Sequence, residues 1–203
     1  LTTKVAGGTI DIGNSTTGAY SLTGLSGNDT LKGNGNADII NGGGGDDTID
    51  GRGGNDEINA GAGDDIITVS TAGQGDGDTI DGGSGTDTLS LSNGSHAFAT
   101  DAKLQNINSI TLASTSTVID LTGQTESLTI TGGAQADTIT ARSGDDIING
   151  AGGADIIKGA GGIDTISLGN SDSASDIIIF DASSGMDIIQ QFTAGATNGD
   201  ILK

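Results

Sequence analysis

A single large aliphatic residue, set between polar neighbours and preceded by a glycine-rich stretch, returns every nine residues along much of this chain. Residues 24–32 read GLSGNDTLK, followed by GNGNADIIN (33–41), GGGGDDTID (42–50), GRGGNDEIN (51–59) and AGAGDDIIT (60–68). Residues 69–72 interrupt the register, which resumes as GQGDGDTID (73–81) and GGSGTDTLS (82–90). A second block reads GGAQADTIT (132–140), ARSGDDIIN (141–149), GAGGADIIK (150–158) and GAGGIDTIS (159–167). In all eleven copies the sixth residue is Asp and the eighth is Ile or Leu. The fourth is Gly in eight, with Asn36, Asp76 and Gln135 the exceptions. Such self-similarity is the mark of a repeat architecture.

Nine residues suit one short strand and one tight turn. Strand alternation points the eighth residue inward and its neighbours at seven and nine outward. Two units then make a coil of 18 residues, and successive coils stack as parallel strands with each Ile above another. The chain holds 26 Ile, 12 Leu and 3 Val, a supply that fits such a ladder. A helix is excluded over these blocks, since Gly at two or three of every nine positions would cost about 1 kcal/mol each. The expected fold is therefore all-β, a right-handed parallel β-roll or β-helix solenoid.

Charge changes the picture next. Lys and Arg number 7 against 27 acids, for a formal net charge of −20, and 25 of the acids are Asp. As bulk composition this would allow a disordered chain, but the repeat organises it. So negative a surface excludes a nucleic-acid partner, and no apolar run is long enough for a membrane span. The absence of Cys rules out disulfides and thiolate chemistry. The start, Leu1-Thr2-Thr3-Lys4-Val5, shows neither a start methionine nor a signal peptide, so the chain reads as a piece of a larger protein or a processed product.

Stacking places Asp29 near Asp47 and Asp38 near Asp56, at about the 4.8 Å strand spacing. Like charges that close repel, and a hard divalent cation resolves the repulsion. Calcium takes 6–8 oxygen ligands from carboxylates and carbonyls; magnesium keeps its waters, and zinc or copper would want His or Cys. His96 is the only His. It lies beside Ser95 and five residues before Asp101, and reads as a loop residue rather than part of a Ser-His-Asp site. Repeated identical carboxylate pairs are structural, and the chain is not expected to be an enzyme. Phe98, Phe180 and Phe192 are expected to plug the ends and seams of a thin core. Asp46, Asp64 and Asp145, at position five, read as solvated surface charge.

These residues resemble the calcium-binding nonapeptide repeats of RTX proteins, which build a parallel β-roll with ions between turns on the same side. The resemblance implies several calcium ions as cofactor. It implies as ligands the position-six aspartates Asp29, Asp38, Asp47, Asp56, Asp65, Asp78, Asp87, Asp137, Asp146, Asp155 and Asp164. Backbone ligands would come from Gly42, Gly44, Gly51, Gly53, Gly150 and Gly152. About five sites are expected in the first block and two or three in the second. Turns 33–38, 73–78 and 132–137, lacking the fourth Gly, are expected to bind weakly.

Outside the repeats, residues 1–23 read as N-terminal capping strands, 24–90 as the first calcium block and 91–131 as ion-free β-helix coils joining it to the second block, 132–167. Residues 168–203 read as degenerate repeats and closing strands, with Asp187 a further degenerate site. Within 98–106 a helical turn is expected. The style of composition resembles surface-layer proteins with RTX repeats. It implies a calcium-dependent structural module of a secreted bacterial cell-surface protein, self-associating into a lattice, with cell-surface polysaccharide bound through another part of the parent. The alternative is the non-catalytic RTX roll of a type I-secreted enzyme, toxin or adhesin that folds on calcium after export.

Overall fold

The computed structural model describes residues 2–70, 77–98, 100–169, 174–182, 185–192 and 199–203. Among these there is no helix, and every strand pairing is parallel. One long sheet of ten strands runs the length of the molecule: Thr9–Asp11, Thr30–Lys32, Thr48–Asp50, Ile66–Val69, Thr88–Leu91, Ser109–Leu112, Thr129–Thr131, Ile147–Asn149, Thr165–Ser167 and Ile188–Gln190. Facing it are two six-stranded sheets. The N-terminal one contains Thr2–Lys4, Ser21–Thr23, Ile39–Gly44, Glu57–Ala62, Thr79–Ser84 and Leu104–Gln105. The C-terminal one contains Gly94–Ala97, Thr117–Asp120, Thr138–Thr140, Ile156–Lys158, Ile177–Ile178 and Ile201–Leu202. This is the parallel β-solenoid that the nine-residue period predicts.

The register explains the repeat. In the long sheet Leu31 pairs with Ile49, Ile49 with Ile67 and Ile67 with Leu89, all four fully buried. Across the core, Leu22, Ile40, Ile58 and Ile80 make the matching column of the N-terminal sheet. Eighth-position side chains thus stack on copies of themselves, and each fully buried Ile contributes about 1.5–3 kcal/mol. Neighbouring strand positions such as Thr48 and Asp50 point away from the core.

The long sheet passes through 91–131 without a break, by way of Ser109–Leu112 and Thr129–Thr131. Here the coil changes shape. The successive strands Thr88–Leu91, Gly94–Ala97 and Leu104–Gln105 belong to three different sheets, so the cross-section is three-sided. Without glycine-rich hairpin-like turns, the connections carry inward side chains. Phe98, Leu104, Ile107, Leu112, Leu121 and Leu128 fill the wider core. Buried Gln124 satisfies the connection by donating from Nε2 to the carbonyls of Phe98 and Thr100.

Three expectations change. Within 98–106 the described residues hold a turn at 100–103, closed by the Lys103 N–H on the Thr100 carbonyl, and then the strand Leu104–Gln105 rather than a helical turn. His96 is no loop residue: it lies on strand Gly94–Ala97, fully buried and paired with Ile119. Of the three phenylalanines, Phe98 is in the core and Phe192 packs against it, but Phe180 is exposed. The interruption at 69–72 does not stop the stacking, because strands on both sides of it pair in register. Asp76 and residues 71–72 lie outside the described residues.

Candidate metal centre

The glycine-rich turns stack into rows, and the local backbone accounts for the motif. Where position four is glycine it runs at positive φ, as in Gly54 (φ 121) and Gly153 (φ 110), where only glycine is comfortable. Position two is left-handed in most copies, and where its φ is milder a side chain is tolerated, as at Arg52 (φ 67) and Ala151 (φ 68). Position one must be small for another reason. A Cβ on Gly42 would collide with the Ala60 carbonyl oxygen and with Oδ2 of Asp47 together. Gly24 meets the Gly42 carbonyl and Asp29 Oδ2 in the same way, Gly33 the Gly51 carbonyl and Asp38 Oδ2, and Gly132 the Gly150 carbonyl and Asp137 Oδ2.

All eleven position-six aspartates are buried, none more than 3% exposed. Their Oδ1 atoms form a ladder that runs backward along the chain. The Asp29 N–H donates to Asp47 Oδ1 at 2.8 Å, Asp47 to Asp65 at 2.7 Å and Asp65 to Asp87 at 3.0 Å. A second row joins Asp38 to Asp56 and Asp56 to Asp78. In the later block Asp137 donates to Asp155 and Asp146 to Asp164. The other oxygen is different. Oδ2 of Asp29, Asp47, Asp56, Asp65, Asp87 and Asp164 is buried with no hydrogen-bond partner.

Such oxygens are costly. Burial pushes the Asp56 and Asp146 carboxyls up to about 7 and Asp65 up to about 6, and the neighbouring aspartates of the row add to each rise. Asp47, Asp87, Asp137 and Asp164 move the same way, burial again leading. The N–H bonds they accept oppose the shift without cancelling it. A cation in the row would remove the cost. The residues fit calcium on these grounds: hard oxygen donors, buried unpartnered carboxylate atoms, and carbonyls of the next coil brought against them. Among the described residues no three His, Cys, Asp or Glu side chains converge, so carbonyls must complete any coordination shell.

Of the backbone candidates, the carbonyls of Gly42, Gly51 and Gly150 converge with a position-six Oδ2. Those at position three are placed differently: the Gly44 carbonyl accepts the Gly27 N–H at 2.6 Å, while Gly53 and Gly152 hold their rows through their own N–H groups. The Ala60 and Asn106 carbonyls converge with Asp47 and Asp87 as the glycines do, and were missed because a carbonyl carries no residue-type signal. Asp176 and Asp200 were also missed. They continue the later row, Asp155 donating to Asp176 and Asp176 to Asp200, and the D-x-Ile/Leu fragment around each could have marked them. Asp187 takes the same place after Asp164, and Asn108 after Asp87. Position-five residues are exposed but not idle. Asn28 accepts the Asp46 N–H, Asp46 the Asp64 N–H and Asp64 the Thr86 N–H, a ladder opposite in direction to the first.

A family model, the RTX calcium-binding nonapeptide repeat in four copies, matches residues 21–49, 42–69, 72–95 and 131–166. Together these matches span more than half of the chain. No curated protein matches it.

Proposed function

The chain belongs to the RTX calcium-binding nonapeptide-repeat family, and from that premise we propose that it is a calcium-folded structural module of a secreted bacterial cell-surface protein, of the surface-layer type. The repeats are those of a calcium-binding structural module. The observation that carries the reading is the run of buried, unpartnered Oδ2 atoms in the consecutive coils of Asp29, Asp47, Asp65 and Asp87. Calcium, when bound, supplies the positive charge these rows lack.

The ligands in this reading are the position-six aspartates together with position-one carbonyls such as those of Gly42, Gly51 and Gly150. Binding free energy becomes folding free energy, since the unfolded chain holds no such rows. Extracellular calcium modules work at dissociation constants of about 10⁻⁴–10⁻³ M, so the fold forms outside the cell. The unbroken long sheet supports a rod-like structural role, because it ties both calcium blocks to one support.

Circular dichroism during a calcium titration, run beside a sizing measurement, tests this. The expected result is little β signal in chelator, a cooperative gain in millimolar calcium, and assembly beyond the monomer. Equal β content in chelator and calcium would overturn calcium-dependent folding. A persistent monomer in calcium would overturn the lattice role alone.

A further inference from the structure

The chain has only seven cationic residues, and three of them meet backbone carbonyls where the aspartate rows end. Arg52 is the clearest. It replaces the position-two glycine of its repeat, and its Nη1 donates to the Gly33 carbonyl at 2.7 Å and to Asp11 Oδ1 at 2.8 Å, with Nη2 reaching Asp11 Oδ2 at 3.1 Å. Gly13 leaves room for the guanidinium, since a Cβ there would collide with it.

The place matters. Within the rows, position-one carbonyls converge with the Oδ2 of the aspartate one coil earlier, as the Gly51 carbonyl does with Asp38 and the Gly42 carbonyl with Asp29. The Gly33 carbonyl has no such partner, because the residue in register before Asp38 is Tyr20. Arg52 takes that carbonyl instead. At the far end of the same row the residue in register after Asp78 is Ala102, and Lys103 next to it donates from Nζ to the Gly77 carbonyl at 2.7 Å. The row of Asp146 and Asp164 begins after Leu128, and there Arg142, again at position two, donates to the Thr122 carbonyl.

Building on the calcium reading above, we infer that Arg52, and likewise Lys103 and Arg142, are tethered cations that stand in for calcium at the ends of the rows and so set how many ions the roll takes up. A guanidinium or ammonium brings charge and donors to the carbonyl without recruiting an ion. It lets the stack continue into coils that lack a position-six aspartate.

The test is bound calcium per chain, by equilibrium dialysis with metal analysis, for the whole chain. R52G restores the repeat consensus at a position whose φ suits glycine. It is expected to bind about one more calcium than the parent, held by Asp11 and the Gly33 carbonyl. R52K should keep the parental count, and D11N/R52G should lose the gain. R142G repeats the comparison in the other row and guards against a folding defect in either variant. Parental counts in both R52G and R142G, with a parent that binds calcium, overturn the tethered-cation inference alone. A parent that binds no calcium overturns it together with the calcium reading.

Discussion

The backbone N–H of Asp47 donates to Oδ1 of Asp65 at 2.7 Å, while Oδ2 of the same Asp65 is buried without a hydrogen-bond partner. One carboxylate therefore has two unequal halves. Its first oxygen is a structural acceptor that ties neighbouring coils. Its second needs a cation or a proton, and that need links folding to both calcium and pH.

The pH dependence in chelator follows from the raised carboxyls. Asp56 and Asp146 stand at about 7 and Asp65 at about 6 when folded, against about 3.9 unfolded. The folded state binds these protons more tightly, so their stabilisation is complete below about pH 4 and is lost as pH rises through about 6–7. Circular dichroism in chelator should thus show β signal at about pH 4.5 that is lost by about pH 7.5. A β signal that rises over that range would contradict the assignment.

Asp65→Asn separates the two oxygens. The amide keeps an acceptor for the Asp47 N–H but carries no charge. In chelator at about pH 8 the variant should keep more β signal than the parent, because a buried carboxylate has been neutralised. In saturating calcium the order should reverse, since a hard anionic ligand is lost. In calcium Asp65→Ala should be less stable than Asn by about 1 kcal/mol, the usual net worth of a hydrogen bond. Equal rankings with and without calcium would mean that Oδ2 has no part in ion binding.

Backbone conformation gives a pair of opposite predictions. Gly54 lies at φ 121, and a Cβ there would collide with the backbone of Asn36 and Ala37. Gly54→Ala should lower stability by about 1–3 kcal/mol. Ala151 lies at φ 68 at position two, where glycine relieves about 1 kcal/mol of left-handed strain. Ala151→Gly should therefore be neutral or stabilising. Denaturant melts in calcium check both, and a stabilising Gly54→Ala would refute the steric reading of position four.

Much of this was legible in the sequence wherever the nine-residue period held. Leu31, Ile49 and Ile67 could be stacked on paper because side-chain alternation leaves them one direction to face. The stacking of Asp29 on Asp47 and of Asp38 on Asp56 followed from the same period. What escaped did so for physical reasons. The spacing from Asp155 to Asp176 is 21 residues and from Asp176 to Asp200 is 24, so lengthened connections hide the ladder from a fixed period. The Ala60 carbonyl is invisible because every residue has one. The three-sided coil at 94–105 escaped because β-propensity says that Gly94–Ala97 is extended, not which sheet it joins.

His96 was misread because a lone imidazole among Gly, Ser and Asn looks like a loop. In the fold it heads the C-terminal sheet's inner column, followed by Ile119, Ile139 and Ile157. Its Nε2 meets the Ser92 carbonyl at 3.1 Å, but Nδ1 is buried with no partner. An unsatisfied buried nitrogen costs about 1–3 kcal/mol, and losing the Ser92 bond would return about 1 kcal/mol of that. His96→Leu continues the aliphatic column and should raise the melting temperature in saturating calcium while leaving the bound-calcium count unchanged. A lower melting temperature would show that the imidazole is a needed part of the seam between the two-sided and three-sided coils, rather than a polar residue the column merely tolerates.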